Sequence, residues 1–195
     1  MGFRGLTINT EAEEAAQIYA ENDAAIYQAI LGDGDLLLNY GNCFSVDITG
    51  SYTVRVNSGL VAVQGHLGII EASDAQNLTV GNGTSGVTRN DLIVAEFKTT
   101  GNHGIDTFSL KVLKGGTDGS LPSVIAEDLN SGGMTRQFAI AQITVTNLSI
   151  TEAKIIQTPA TCMKDLLRAL NERISYGTSA PSGGKDGDIY IQYEA

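Results

Sequence analysis

Apolar residues recur at every second position over a long central stretch of the chain, from Val54 to Gly115. Segments rich in glycine and asparagine interrupt this alternation, and such residues are typical of the turns between antiparallel strands. A period of two places alternate side chains on opposite faces of a strand. Four runs share a face in this way: Val54 with Val56, Val61 with Val63, Ile93 with Ala95 and Phe97, and Phe108 with Leu110 and Val112. The pattern predicts a β-meander whose strands enclose a core.

Further strands are predicted on both sides of the meander. Residues 36–40 and 43–48 precede it, residues 138–146 alternate as FAIAQITVT, and residues 149–157 form a second edge. Together these strands predict a mainly β domain over residues 35–157, built as an antiparallel β-sandwich or a barrel-like module. In this prediction the domain is flanked by an N-terminal helix and by a C-terminal helix with a terminal strand.

The N-terminal segment, residues 1–34, is predicted to hold an irregular arm and a helix. Thr10 as N-cap, with Glu13 three residues later, predicts a helix that runs to about Leu31. Its apolar stripe has few large side chains, and an isolated helix is marginally stable in water. The helix therefore needs a packing partner, which is either the chain's own β domain or the same helix in neighbouring subunits.

The C-terminal segment, residues 158–195, combines a predicted helix, a flexible link and a strand. Thr158-Pro159 predicts the helix start, because a capping hydroxyl followed by proline is the preferred order. The apolar stripe of this helix contains Met163, Leu166, Leu167, Leu170 and Ile174. The terminal strand has no hairpin partner in the sequence, so it must pair with an edge of this domain or of another chain.

Composition and charge narrow the classes of function. Of the 195 residues, 42% are hydrophobic and 17% are charged, which indicates a globular chain. The formal net charge is −10, so nucleic acid is not expected as a partner. No Lys or Arg lies between Arg4 and Arg55, and this acidic stretch either faces solvent or docks on a basic partner. The start lacks a secretory signal and no run could span a bilayer, which predicts synthesis in a cytoplasm without membrane insertion.

Residues with catalytic or ligand-binding potential are few. His66 and His103 stand alone without a motif and are expected to be structural or solvated. Cys43 and Cys162 fit no metal spacing and are expected to be reduced. The segment 33–35, Asp-Gly-Asp, is similar to half of a calcium loop, but a helix-to-strand turn is the favoured interpretation. The sequence predicts no catalytic, cofactor or metal site, and no enzyme.

Several short motifs follow one another across roughly residues 54–156. Their residues are Val63 and Gly65, then Arg89, Asp91, Ile93 and Val94, then Val112 and Gly115, and finally the strand pair AIAQITVTNLSITEAKI. In this order the chain resembles a β module of tailed-bacteriophage baseplate, tail-tip and tail-fibre proteins, especially those of phages and prophages of Gram-positive bacteria. The closing motif departs from that family, with Glu152 where Asp is usual and Lys154 where Arg is usual. The segment APSGGKDGDIYIQY also resembles one that recurs in phage tail proteins.

The resemblance implies a non-enzymatic virion structural protein, made in the host cytoplasm, that acts as an assembly adaptor between the tail and host-recognition parts. It implies a homotrimer that binds other tail or baseplate proteins. In this hypothesis the first helix and the terminal strand make the subunit or partner contacts. The predicted contact residues are Tyr19, Ile26, Ile30, Ile189, Tyr190, Ile191 and Tyr193.

A carbohydrate-binding module that recognises the bacterial surface is the alternative interpretation. Such a module would bind glycan through exposed aromatic rings, and Tyr190 and Tyr193 are its candidates. Phe97 and Phe108 are predicted instead to lie in the core, because they follow the period of two.

Overall fold

The structure is a computed structural model that describes Gly2, Arg4–Gly5, residues 19–101 and residues 103–194. The chain divides into two compact units, Met1–Ala160 and Thr161–Ala195. β-Strands dominate the described residues, with one α-helix in the first unit and another in the second. The predicted fold class, a mainly β module of antiparallel sandwich or barrel-like form flanked by helices, is confirmed.

The first unit consists of two antiparallel sheets. Its strands are β1 (Arg4–Gly5), β2 (Asp35–Leu38), β3 (Val46–Gly50), β4 (Thr53–Val63), β5 (His66–Thr79), β6 (Thr88–Thr99), β7 (Asp106–Leu113), β8 (Thr135–Thr146) and β9 (Ser149–Ile155). One sheet has the order β1-β5-β4-β2, with β3 also paired to β4, and the other has the order β7-β6-β8-β9. The two sheets meet along one edge, where the Ile150 N–H donates to the Ser51 carbonyl oxygen at 3.0 Å.

The core lies between the predicted strand faces. The side chains that are at most 1% exposed include Val54, Val56, Val61, Val63, Ile93, Ala95 and Phe97. Phe108 and Leu110 are buried as well, and Val112 packs against the same cluster. The predicted shared faces are thus confirmed, because every one of them points into this core.

The predicted strand over residues 43–48 is wrong in its first half. Residues 41–44 form a turn, in which Cys43 and Phe44 have φ of 49° and 56°, and β3 begins only at Val46. Phe44 is fully buried, and a Cβ on Gly59 of β4 would lie 2.5 Å from its ring. The side chain therefore fills the space left by a glycine on the neighbouring strand, and the backbone turns to place it there.

The N-terminal helix, α1 (Ala20–Leu31), packs on its own β domain. Ala20 and Ala24 are its buried residues, and it contacts β5. The small side chains allow a close approach, since a Cβ on Gly65, where φ is 81°, would overlap the Ala24 carbonyl oxygen. Gln28 Nε2 also donates to the Gln64 carbonyl oxygen at 2.7 Å. The capping box predicted at Thr10 and Glu13 lies outside the described residues.

The second unit consists of α2 (Met163–Arg173), β10 (Ile174–Gly177) and β11 (Ile189–Gln192). The predicted helix start at Thr158-Pro159 is wrong, because the helix begins after Cys162 as N-cap. The Ala160 N–H instead donates to the Leu37 carbonyl oxygen at 2.7 Å, so this stretch extends along β2. The terminal strand β11 pairs in parallel with β10. Ile174, predicted in the helix, is the first residue of β10.

Candidate assembly surfaces

Helix α1 has two faces of different character. Ala20 and Ala24 on the inner face are 7% and 2% exposed. Ile26 and Ile30 on the other side are 57% and 68% exposed. Residues four apart are neighbours on a helix surface, so these two isoleucines form one apolar area. This outer patch of α1, defined by Ile26 and Ile30, contains two of the predicted contact residues.

Tyr19, a third predicted contact residue, packs within its own chain. Its ring stacks on the His103 ring, with centroids 3.7 Å apart and planes 9° apart. Next to it, the Glu21 carboxylate accepts a hydrogen bond from the His103 backbone N–H at 2.6 Å. These contacts fix the start of α1 on the loop between β6 and β7. Tyr19 is therefore a residue that positions α1.

A cavity of about 270 Å³ lies beside this contact. Its lining includes Glu21, His66, Phe97, Asp106 and Met134. The His66 ring is 7% exposed and stacks on the Phe97 ring, with centroids 3.9 Å apart. His66 thus packs as part of the interior. Among the described residues, no group of three or more His, Cys, Asp or Glu side chains could hold a metal ion.

The loop over residues 129–134, which lines one side of this cavity, is held by Asp128. Its carboxylate accepts hydrogen bonds from Ser131 Oγ at 2.6 Å and from Gln64 Nε2 at 2.9 Å. The bond from Ser131, followed by those from Gln64 and the Asn130 N–H, lowers the pKa of Asp128. Since Gln64 lies in the turn between β4 and β5, these bonds tie the loop to the first sheet and keep the wall of the cavity in place.

Two of the motif residues, Arg89 and Asp91, form a buried ion pair, and a third, Gly115, is hydrogen-bonded to it. Arg89 Nε and Nη2 donate to the two carboxylate oxygens of Asp91 at 2.7 and 2.9 Å. The guanidinium also donates to the carbonyl oxygens of Gly81 and Asn82, and Asp91 accepts the Gly115 N–H at 2.9 Å. We call this group the Arg89 clasp. It joins the segments that follow β5 and β7 to the start of β6, so the motif order reflects a structural contact.

Gly115 belongs to the Arg89 clasp for a steric reason. A Cβ at this position would overlap the carbonyl oxygen of Asn90. Only a glycine lets the backbone N–H approach Asp91 so closely. The β6–β7 hairpin brings Gly115 beside Asp91. The number of residues between the second and third motifs is therefore set by the length of this hairpin.

The β10–β11 ribbon exposes one apolar face. Its register sets Ile174 beside Ile189 and Tyr176 beside Ile191, and paired residues share a face. Ile189, Ile191 and Tyr193, three predicted contact residues, are 55%, 54% and 52% exposed. The fourth, Tyr190, points to the opposite face, is half-buried, and donates its hydroxyl to the Ser179 carbonyl oxygen at 2.6 Å.

A further exposed surface was not predicted. The apolar stripe of α2 contains Met163, Leu166, Leu167 and Leu170, which are 66%, 47%, 52% and 49% exposed. The sequence pattern shows this stripe, but the same spacing is typical of a helix that packs on its own domain. The two cases differ in burial, and no residue of α2 is buried.

Fold and surfaces together define a class: a β-sandwich module with a packed interior, carrying exposed apolar surfaces on both of its helices and on a terminal ribbon. Within the described ranges, no helix has the length and hydropathy needed to cross a membrane. No protein-family model matches the chain, and no curated protein matches it.

Proposed function

We propose that this chain is a structural subunit of a phage baseplate, tail tip or tail fibre, and that it links the tail to host-recognition parts. The observation that carries the proposal is the combination of a rigid interior with exposed apolar surfaces. Contiguous exposed apolar side chains are characteristic of contact sites. The outer patch of α1, the stripe of α2 and the face of the ribbon are all such surfaces.

The interior of the first unit suits a part that transmits position. The Arg89 clasp, the Asp128 bonds and the Tyr19–His103 stack hold loops and helix on the sandwich. The Arg89–Asp91 pair is buried, and buried, fully hydrogen-bonded groups make a structure rigid. Helix α1 is held on this unit by the Tyr19–His103 stack and by the bond from Gln28 to the Gln64 carbonyl oxygen, so a partner bound at α1 would be held in a fixed orientation to the sheets. This supports an adaptor more than a mobile lid or an enzyme.

The proposed assembly is a homotrimer that contacts other tail or baseplate proteins. In a closed assembly every copy uses the same set of surfaces for its contacts with other copies. For contacts with other proteins, the net charge of −10 favours partners with basic surfaces. The proposed place of action is the tail or baseplate of the virion, after synthesis in the bacterial cytoplasm.

Electron microscopy of phage particles tests this proposal. Tailed particles are purified from the bacterium that encodes the chain and labelled with antibodies against the purified protein. We expect label at the distal end of the tail, and mass spectrometry of the particles should detect the chain. Particles made after deletion of the coding sequence are the control and should carry no label and adsorb poorly.

Two results would contradict the adaptor. One is intact, infective particles from which the chain is absent. The other is binding of the isolated chain to wall polysaccharide that is lost in Tyr193→Ala, which would support the carbohydrate-binding alternative.

A further inference from the structure

The C-terminal unit has no interior of its own. Every described residue from Thr161 onward is exposed except Asp165, Gly177 and Tyr190, which are half-buried. Helix α2 contains no buried residue. The first unit, by contrast, has a cluster of fully buried side chains between its sheets. The apolar surface that would normally stabilise a folded unit therefore remains in contact with water in a single copy of the C-terminal unit.

Local interactions within this unit are weak stabilisers. Arg168 pairs with Asp165 at 3.1 Å and lies 3.9 Å from Glu172, but the Arg168 and Glu172 side chains are 65% and 71% exposed. Exposed pairs of this kind contribute little. A short isolated helix and an isolated two-stranded ribbon are each marginal in water. Neither element accounts for the stability of the other.

Covalent or metal support is not available within the unit. A small folded unit without a core usually needs disulfides, a metal or oligomerisation to stay folded. The sequence of the C-terminal unit contains a single cysteine, Cys162, and no histidine. An internal disulfide is thus impossible, and the usual Cys and His ligands of a structural metal are missing. Burial of its apolar side chains against another surface is the remaining source of stability.

The two apolar surfaces of this unit follow one another directly along the chain. Leu170 is the last member of the α2 stripe, and Ile174, which follows the helix, is the first residue of the ribbon face. We call the whole area the C-terminal apolar surface. It consists of Met163, Leu166, Leu167, Leu170, Ile174, Tyr176, Ile189 and Ile191, each at least 41% exposed. A protein–protein interface of ordinary size involves roughly 20 to 30 residues on each side. An interface centred on this surface would therefore include most residues of the unit.

Charge indicates that other copies of the unit cover this surface. The unit contains the basic residues Lys164, Arg168, Arg173 and Lys185 and the acidic residues Asp165, Glu172, Asp186, Asp188 and Glu194. These nearly cancel, so most of the chain's net charge of −10 lies in the first unit. Near-neutral surfaces associate readily, whereas strongly acidic ones repel each other. Copies of the chain can therefore meet through the C-terminal unit at the lowest electrostatic cost.

The width of the stripe sets the number of copies. Leu166 and Leu167 are consecutive, and consecutive residues on a helix point about 100° apart. A stripe this wide reaches two neighbouring helices at once, while a two-stranded coil needs only a narrow seam. The geometry thus favours a ring of three or more helices.

We propose that the C-terminal unit is a self-association element whose folding is coupled to assembly, with α2 helices from three or more copies packed through the C-terminal apolar surface. This inference stands on the C-terminal unit alone and does not depend on the phage assignment. In the assembled state the stripe of α2 and the ribbon face are buried. In a separated chain they are exposed and the unit unfolds locally.

Light scattering and amide hydrogen exchange on the full chain test the proposal, with variants Leu170→Glu and Arg168→Gln. Both substitutions make the chain more negative by the same one charge, but only the first lies on the stripe. We expect the wild type and Arg168→Gln to have the mass of at least three chains and protected α2 amides. Leu170→Glu should fall to the mass of one chain, 20.5 kDa, and lose that protection while β6 stays protected.

Two results would overturn the inference. An oligomer of unchanged mass in Leu170→Glu would place the assembly contact elsewhere, for example on the outer patch of α1. A monomeric wild type would show that copies do not cover the surface; if its α2 amides were protected, the covering segment would belong to the same chain. Retained protection of β6 in every variant shows that the first unit is folded, so a loss of mass cannot result from general misfolding.

Discussion

The two units of this chain reach order by opposite means. The first buries its apolar residues between two sheets and closes the structure with a buried ion pair. The second has a helix and strands of ordinary geometry, but its apolar side chains are exposed. The helices and strands of the first unit therefore indicate a stable fold. Those of the second unit indicate a surface that needs a partner.

The largest expected effect comes from the Arg89 clasp. Asp91→Ala leaves the buried Arg89 guanidinium without its carboxylate, and breaking one side of a buried ion pair typically costs about 3–5 kcal/mol. Urea unfolding, monitored by a spectroscopic signal from the first unit, measures this loss of unfolding free energy. Asp33→Ala in an exposed turn is the matched control and should stay within about 0.5 kcal/mol of wild type. Equal stabilities of the two variants would show that the clasp does not stabilise the unit.

A pair of alanine substitutions compares the units directly. Ile143 is fully buried in β8, and Ile143→Ala should lower the free energy of unfolding of the first unit by about 2–5 kcal/mol. Leu170 is 49% exposed, and Leu170→Ala should leave that free energy within about 0.5 kcal/mol. A large effect of Leu170→Ala on the first unit would erase the difference between the units.

The smallest expected effect is the pH dependence at Glu96 in β6. Burial raises the pKa of this carboxyl, but hydrogen bonds from Lys111, Gln137 and Lys98 outweigh it and lower the pKa below its usual value. The unfolded state therefore takes up the proton first, so this contribution is present above the ordinary glutamate pKa of about 4.3 and is lost as the pH falls through the folded value.

Urea unfolding at several pH values checks this sign. The free energy of unfolding of the first unit should decline between neutral pH and acid, and Glu96→Gln should decline less steeply. An equal pH dependence in the wild type and in Glu96→Gln would show that Glu96 does not contribute to it. The C-terminal unit should contribute nothing to this slope in the first unit's signal.

Period-two patterns predicted the strand faces well, because alternation depends only on which side of a sheet is buried. Val54, Ile93 and Phe97 all point into the core as expected. The errors occur where a distant segment decides the local backbone. Phe44 turns out of its predicted strand to fill the space beside Gly59, and Ala160 pairs with β2 instead of starting a helix. Neither contact is visible in the local sequence.

The candidate surfaces could be predicted only in part. Tyr19 and Tyr190 make contacts inside their own chain. The contact role of the other predicted residues stays a prediction, and these are exposed: Ile26, Ile30, Ile189, Ile191 and Tyr193. The stripe of α2 has the spacing of a core-facing helix, so its pattern alone does not reveal that nothing in the unit covers it. Likewise the terminal strand pairs in parallel with β10, in the register Ile174 beside Ile189, and hairpin signals do not predict such a pairing.

The position of the coreless unit after the sandwich has a consequence for biosynthesis. During translation the residues of the first unit leave the ribosome before α2, and N-terminal domains generally fold first as units. Its long-range pairs, such as β6 with β8, are complete once residue 146 has emerged. Each nascent chain can therefore complete its sandwich before the C-terminal apolar surface emerges. Folding within one chain is then separated in time from contacts between chains on neighbouring ribosomes.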